Sequence, residues 1–260
     1  MPNTKNLMVM AGTKDAANII KKLKSSGSFR ILATTTTEYG AEIAKTAGAD
    51  EVLSGKLELS DLINLLKEKD ISILVDATHP FATVATKNAI KSSENSKIKY
   101  IRFERPRESL IESNLIHKVF SFDEAALKAF ELNKSRILHL AGVLTLEPII
   151  QENDASKVVV RVLPSLDSIE RCLKLGLKQE NIIAMQGTFS KDFNKALMEE
   201  YDVSVIITKE SGETGGTSSK INAALELGIQ IVLVIRPEIP ELNNKDIFTD
   251  LDEMISFLLN

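Results

Sequence analysis

The chain has 260 residues, enough for one large domain or two small ones, and 43% of them are hydrophobic, so it can bury a core and intrinsic disorder is excluded. Its 32 basic and 36 acidic side chains leave a net charge of −4, which lacks the global positive field expected of a nucleic-acid binder, and the absence of Trp argues against an aromatic platform for RNA. No apolar run approaches the ~20 residues of a membrane helix, the first residues are polar where a secretory signal would be apolar, and a single Cys172 fits a reducing cytoplasm.

In chain order, short β-branched apolar runs alternate with helix-length amphipathic segments. Strands are predicted at 7–11, 30–35, 51–53, 71–77 and 99–103, and a second series at 117–120, 136–140, 157–163, 181–185, 203–208 and 230–235. Several are apolar at consecutive positions, such as Ile73-Leu74-Val75 and Val205-Ile206-Ile207, which suits parallel strands covered on both faces. Helices are predicted at 14–25, 38–47, 60–69, 80–93, 123–132, 166–175, 192–200 and 217–227, with a terminal helix at 251–259. Such alternation predicts an α/β fold with right-handed crossovers, and eleven strands favour two sheets over one. The least periodic stretch, around Pro106, sets the expected boundary between domains at 1–110 and 111–260.

In open α/β sheets ligands bind beyond the carboxyl ends of the strands, so the residues after each strand carry the functional expectations. Gly12 and Thr13 follow the first strand, where a small loop can aim backbone N–H groups at an anion. Thr35 and Thr36 follow the second and could reach a ribose or its phosphate, though a helix cap accounts for at least one threonine of that run. Asp76-Ala77-Thr78-His79-Pro80-Phe81-Ala82 places His79 at an expected helix start, with Asp76 as its possible orienting partner. Arg102, Arg105 and Arg107 form a positive patch suited to carboxylates, or else a solvated edge. Gln186, Gly187, Phe189 and Ser190 follow a later strand. The segment from Lys209 through Ser211, Gly212, Gly215 and Gly216 to Lys220 joins a strand tip to a helix and could cradle an anion, without the spacing of a P-loop. No pair of histidines has metal-ligand spacing, and His139 and Cys172 read as packed core residues.

In combination these motifs resemble the precorrin-6A reductase family, including its cobalt-precorrin-6A branch. The resemblance rests on Asp76–Ala82, on Arg102-x-Glu104-Arg105-Pro106 and Arg161-Val162-Leu163-Pro164, and on Ala184-Met185-Gln186-Gly187-x-Phe189-Ser190. It continues in Thr208-Lys209-Glu210-Ser211-Gly212 with Gly215, Gly216 and Lys220, and closes on Arg236-Pro237. Thr188 stands where the family usually has proline. The resemblance implies two Rossmann-like parallel-sheet domains, with the active site in the cleft between them. It further implies hydride transfer from NADPH or NADH to a ring double bond of a tetrapyrrole in cobalamin biosynthesis. On that basis His79 and Asp76 are the expected catalytic residues. Gly12, Thr13, Thr35, Thr36, Gln186, Gly187, Lys209, Ser211, Gly212, Gly215, Gly216 and Lys220 are expected at the cofactor. Thr78, Phe81, Arg102, Arg105, Phe189 and Ser190 are expected at the substrate, and no metal site is expected. A reductase of another small substrate is the enzymatic alternative, but Tyr39, Tyr100 and Tyr201 offer no Tyr-x-x-x-Lys pair. A nucleotide-sensing module is the non-enzymatic alternative, and it leaves His79 and the arginine patch without a use.

Overall fold

The computed structural model describes residues 4–107, 112–151, 153–212 and 215–260. They divide into two compact units, one of Met1–Pro106 with Pro237–Asn260 and one of Arg107–Arg236.

The first unit runs β1 (Lys5–Met10), α1 (Lys14–Ser26), β2 (Phe29–Thr35), α2 (Glu38–Thr46), β3 (Glu51–Ser54), α3 (Leu59–Glu68), β4 (Ile73–Asp76), α4 (Thr83–Ser96) and β5 (Lys99–Phe103). Successive side chains of a strand point to opposite faces, and β1 shows what this does to its composition. Leu7 and Val9 enter one apolar cluster with Ile19, Ile20 and Leu23 of α1, while Met8 enters another with Leu62, Leu66 and Ile90. Both faces are covered there, so the strand is apolar without interruption from Leu7 to Met10.

The second unit runs β6 (Ile116–Val119), α5 (Phe122–Leu132), β7 (Arg136–His139), α6 (Glu147–Ile150), β8 (Val158–Val162), α7 (Leu166–Lys174), β9 (Ile182–Ala184), α8 (Lys191–Glu200), β10 (Val203–Lys209), α9 (Thr217–Glu226) and β11 (Gln230–Val234). The chain then returns to the first unit as β12 (Asp246–Phe248) and α10 (Leu251–Leu259).

Both sheets have six strands, ordered β12-β5-β4-β1-β2-β3 and β6-β11-β10-β7-β8-β9, and all of the strand pairs are parallel. Each matches the spatial order of a doubly wound dinucleotide-binding sheet. The sixth place is taken by a late strand, β12, in the first unit and by an early strand, β6, in the second. The order reverses between β1 and β4 in one sheet and between β7 and β10 in the other, so each unit has its own switch point.

The expectation that 111–260 forms one domain is corrected by the closing segment. β12 pairs with β5 in the register Asp246↔Ile101 to Phe248↔Phe103, and the Glu104 N–H donates to the Phe248 carbonyl at 2.9 Å. Met254 and Leu258 of α10 are buried in the α1 cluster. A three-residue strand with an exposed start carries too little apolar pattern to be read from sequence.

Met254→Ala is expected to destabilise the first unit by about 2–5 kcal/mol. Native-state hydrogen exchange should show Leu7–Val9 amides losing protection while Val205–Ile207 amides keep theirs. Equal losses in both units would contradict this division of the chain.

Candidate functional site

At the first switch point β1 ends in Ala11-Gly12-Thr13. Gly12 has φ +107, and nothing lies within 4 Å of the place where a Cβ would stand. The Thr13 hydroxyl caps α1 by accepting the Ala16 N–H at 3.1 Å, and it donates to the Ala77 carbonyl at 2.9 Å. That hydroxyl therefore ties the β1 and β4 loops together, and Gly12 is the point where a ligand backbone can come close. Beyond β2, Thr35 is buried and donates to the Thr37 carbonyl at 3.0 Å. Thr37 caps α2, and Thr36 is exposed.

A buried polar network closes the tips of β4 and β5, where Asp76 and Arg102 are direct cross-strand partners. Asp76 is fully buried, and its Oδ1 accepts from the Thr78 N–H at 3.0 Å, the Thr78 hydroxyl at 2.7 Å and Arg102 Nη1 at 2.8 Å. Its Oδ2 accepts from the Tyr100 hydroxyl at 3.0 Å. Arg102 Nη1 also donates to the Thr78 and Thr86 hydroxyls at 3.0 and 3.4 Å, and its Nε donates to Glu104 at 3.0 Å. Burial alone would pull the Arg102 guanidinium down, but the carboxylates of Asp76 and Glu104 hold its pKa above the ordinary value. Burial, and then the Asp76 charge, raise the Tyr100 phenol well above its usual range.

This geometry corrects two expectations. Asp76, fully buried, spends both oxygens on Thr78, Tyr100 and Arg102, so it anchors the loop and does not itself reach a ligand. Arg102, with 1% of its side chain exposed, cannot hold a substrate carboxylate. Arg105, two residues beyond β5, pairs with Asp15 in the first turn of α1.

His79 is half-buried. Its carbonyl accepts the Ala82 N–H at 2.8 Å, so His79 to Ala82 form a turn and α4 begins three residues later than Pro80 suggests. Its Nδ1 accepts the Phe81 N–H at 3.2 Å, which leaves the proton of a neutral ring on Nε2. The Phe81 ring packs 5.8 Å from it, centroid to centroid.

In the second unit Gly142 follows β7 with φ +91 and the same open space over its Cβ position. His139, fully buried, meets the Gly142 carbonyl at 3.2 Å and the Thr145 hydroxyl at 3.1 Å through Nε2. Burial, with Lys209 adding to it and the Gly142 bond opposing it, pulls the His139 pKa down to about 4.

After β9, Gly187 has φ +145 and Phe189 stacks on Phe193 at 4.7 Å, while Ser190 spends its hydroxyl capping α8. Gln186 precedes this turn. After β10, Ser211 is buried against Thr217, with its N–H donating at 3.3 Å. Gly212 has φ +77, and Gly216, in the left-handed region, begins α9 against Thr188. The Lys220 ammonium, largely buried, donates to the Gly215 carbonyl at 3.0 Å. Lys209 ends β10, and residues 213 and 214 of this loop lie outside the described residues. Among the described residues no cluster of His, Cys, Asp or Glu could hold a metal, and no helix is long and apolar enough to cross a membrane.

Two all-parallel sheets, each with an open positive-φ glycine after its central strand, define a protein with two Rossmann-like units suited to a dinucleotide. Residues 6–259 match the family described as precorrin-6x reductase CbiJ/CobK, and the chain belongs to that family. It is accordingly an oxidoreductase of a nicotinamide-dependent family that acts on a CH–CH group. It is 43% identical over 98% of its length to a cobalt-precorrin-6A reductase of Methanothermobacter thermautotrophicus, of which 83% is covered. It is also 43% identical to one of Methanocaldococcus jannaschii, with 98% of each chain covered. A solved structure of CobK precorrin-6A reductase superposes with a TM-score of 0.79 at 20% identity, covering 98% of this chain and 96% of that one, which shows the shared fold.

Arg102→Ala is expected to cost about 3–5 kcal/mol, because it leaves the Asp76 carboxylate buried without its cation; urea unfolding measures the loss. A second expectation concerns His139. The unfolded chain takes up a proton at this residue near pH 6.5, the folded chain only near 4. Its contribution to stability is therefore full above the first value and falls away as pH drops toward the second, by on the order of 3 kcal/mol. His139→Gln should flatten the pH dependence of the urea midpoint across that window, and an unchanged slope would contradict it.

Proposed function

We propose that the chain reduces one ring double bond of cobalt-precorrin-6A to give cobalt-precorrin-6B, in the cytoplasm, with NADPH as the reductant. The observation that carries this reading is the 43% identity, over 98% of the chain, to relatives described as cobalt-precorrin-6A reductases. Relatives described as precorrin-6A reductases, without cobalt in the name, are 25% identical. NADPH is favoured because the tip of β2 carries Thr35, Thr36 and Thr37 and no carboxylate that would bind a ribose 2′-hydroxyl.

When bound, the nicotinamide supplies the hydride. The chain has to hold the dinucleotide, seat an anionic macrocycle and see a proton delivered to the neighbouring carbon. Gly12 allows close approach of a phosphate to the start of α1, while Gly187, Gly212 and Gly216, all at positive φ, shape the second-unit loops around Gly215. Thr36, Gln186 and Lys209 offer polar groups around them, while Thr13, Ser211 and Lys220 act by fixing the loops. In the first unit Phe81 offers an apolar face, and Thr78 and Arg105 shape the wall beside it through their internal bonds; in the second unit Phe189 offers an apolar ring beside the α8 cap Ser190. His79, with its Nε2 proton, lines the reacting face and donates directly or through one water.

Anaerobic incubation with cobalt-precorrin-6A and NADPH should change the chromophore spectrum, more slowly with NADH or with the metal-free substrate. In single-turnover experiments under saturating cofactor, His79→Gln should lower the rate by roughly 10²–10⁴. A rise in KM with the rate unchanged would assign His79 to binding instead.

A further inference from the structure

The peptide that joins Ala77 to Thr78 stands immediately before His79, and it is gripped at both ends. Its N–H, that of Thr78, donates to Asp76 Oδ1 at 3.0 Å. Its carbonyl, that of Ala77, accepts the Thr13 hydroxyl at 2.9 Å. A trans peptide is planar, with its N–H and C=O directed to opposite sides, so the two bonds together fix how the plane is turned. Ala77 is also buried, and its own N–H donates to the Met10 carbonyl at 3.2 Å.

The two grips come from different parts of the first unit. Asp76 belongs to the buried network with Arg102 and Tyr100. Thr13 belongs to the start of α1, whose first turn is itself held by the Asp15–Arg105 ion pair. A threonine hydroxyl has a single proton to give. The Thr13 oxygen accepts the Ala16 N–H at 3.1 Å, and its proton goes to Ala77, so the side chain acts on the chain and not on a ligand. Beyond the pinned peptide, the His79 carbonyl accepts the Ala82 N–H and the ring Nδ1 accepts the Phe81 N–H. Both of those bonds lie within the turn. They set the ring relative to the turn, whereas the upstream end of the turn is set relative to the sheet by the Ala77–Thr78 peptide.

We propose that Thr13 is a positioning residue for the reduction. Through the Ala77 carbonyl it sets the point from which His79 presents its Nε2 proton. The use of that proton rests on the reductase reading above, but the placement of the ring does not.

Thr13→Val keeps the shape of the side chain and removes its hydroxyl, and Thr13→Ser keeps the hydroxyl. Asp250→Ala removes the cap of α10 in the same unit, away from Ala77, and so reports the loss of a helix cap alone. The chain has three histidines, whose imidazole ¹⁵N resonances can be assigned with His79→Gln. In the ligand-free full chain, at a pH that leaves the ring neutral, His79 should be one tautomer with its proton on Nε2. Thr13→Val should draw its two nitrogen shifts toward their average, while Thr13→Ser and Asp250→Ala leave them in place. In single turnover with NADPH and cobalt-precorrin-6A, Thr13→Val should lower the rate by roughly tenfold to a hundredfold, the loss expected of a donor held about 1 Å out of place. Half-saturating concentrations should stay near those of the wild type, and Thr13→Ser should recover the rate. Unmoved nitrogen shifts or a wild-type rate in Thr13→Val would overturn the proposal. So would an equal rate loss in Asp250→Ala at equal loss of Tm, which would leave Thr13 a helix cap and no more. A rise in half-saturating NADPH with the rate unchanged would assign Thr13 to binding instead. If His79→Gln itself reduces the substrate at the wild-type rate, the proton-donor reading falls, and the nitrogen shifts alone decide whether Thr13 places the ring.

Discussion

A parallel strand cannot be followed by a tight turn into its neighbour, so the chain must cross back over the sheet before the next strand begins. Both sheets obey this at all of their strand pairs, and in each unit the carboxyl ends of six strands collect along one edge. The crossover helices cover both faces, which removes side chains in mid-strand from any contact with a ligand. Gly12, the Asp76–Ala82 loop, Gly142, the Gly187 turn and the Gly212–Gly216 segment all lie past a strand end for that one reason. The glycines matter where φ is positive and the space above the backbone is open, as at Gly12 and Gly142.

Within that frame, the treatment of charge separates scaffold from chemistry. Asp76 and Arg102 are both withdrawn from water, and such a pair persists only when its remaining donors and acceptors are filled. Tyr100, Thr78, Thr86 and Glu104 fill them. The result is a fixed base for the turn that carries His79, whose ring is set in turn by the Phe81 N–H. The Arg102 charge is neutralised within this network, so the arginine positions the loop and offers little to a ligand.

Much of the fold was legible because double-sided burial writes itself into composition. Leu7-Met8-Val9, Ile73-Leu74-Val75 and Val205-Ile206-Ile207 are apolar without interruption and are strands. β12 was illegible because a short exposed edge strand needs no such run, and its partner lies far away in sequence. The site was legible by residue type and obscure by pairing. Asp76, Arg102, Arg105 and Asp15 are residues that catalysis and binding use, but which of them neutralise one another depends on the β4–β5 register and on the distance from β5 to α1. Neither quantity is local. The start of α4 was misplaced for a different reason: Pro80 suits a first helical turn, yet the His79 carbonyl closes a separate turn through Ala82.

The return of the chain to its first sheet also orders events in time. During synthesis the strands β1 to β5 emerge before any residue of the second unit, yet the edge of β5 waits for β12. Every residue from Arg107 to Arg236 is made in between. At roughly 5–20 residues per second that interval is on the order of ten seconds. For its duration β5 is an open edge with unpaired N–H and C=O groups, and the α1 cluster lacks Met254 and Leu258. The unit translated first is thus the one completed last, and the nascent chain depends on keeping that edge unpaired until its own terminal segment arrives.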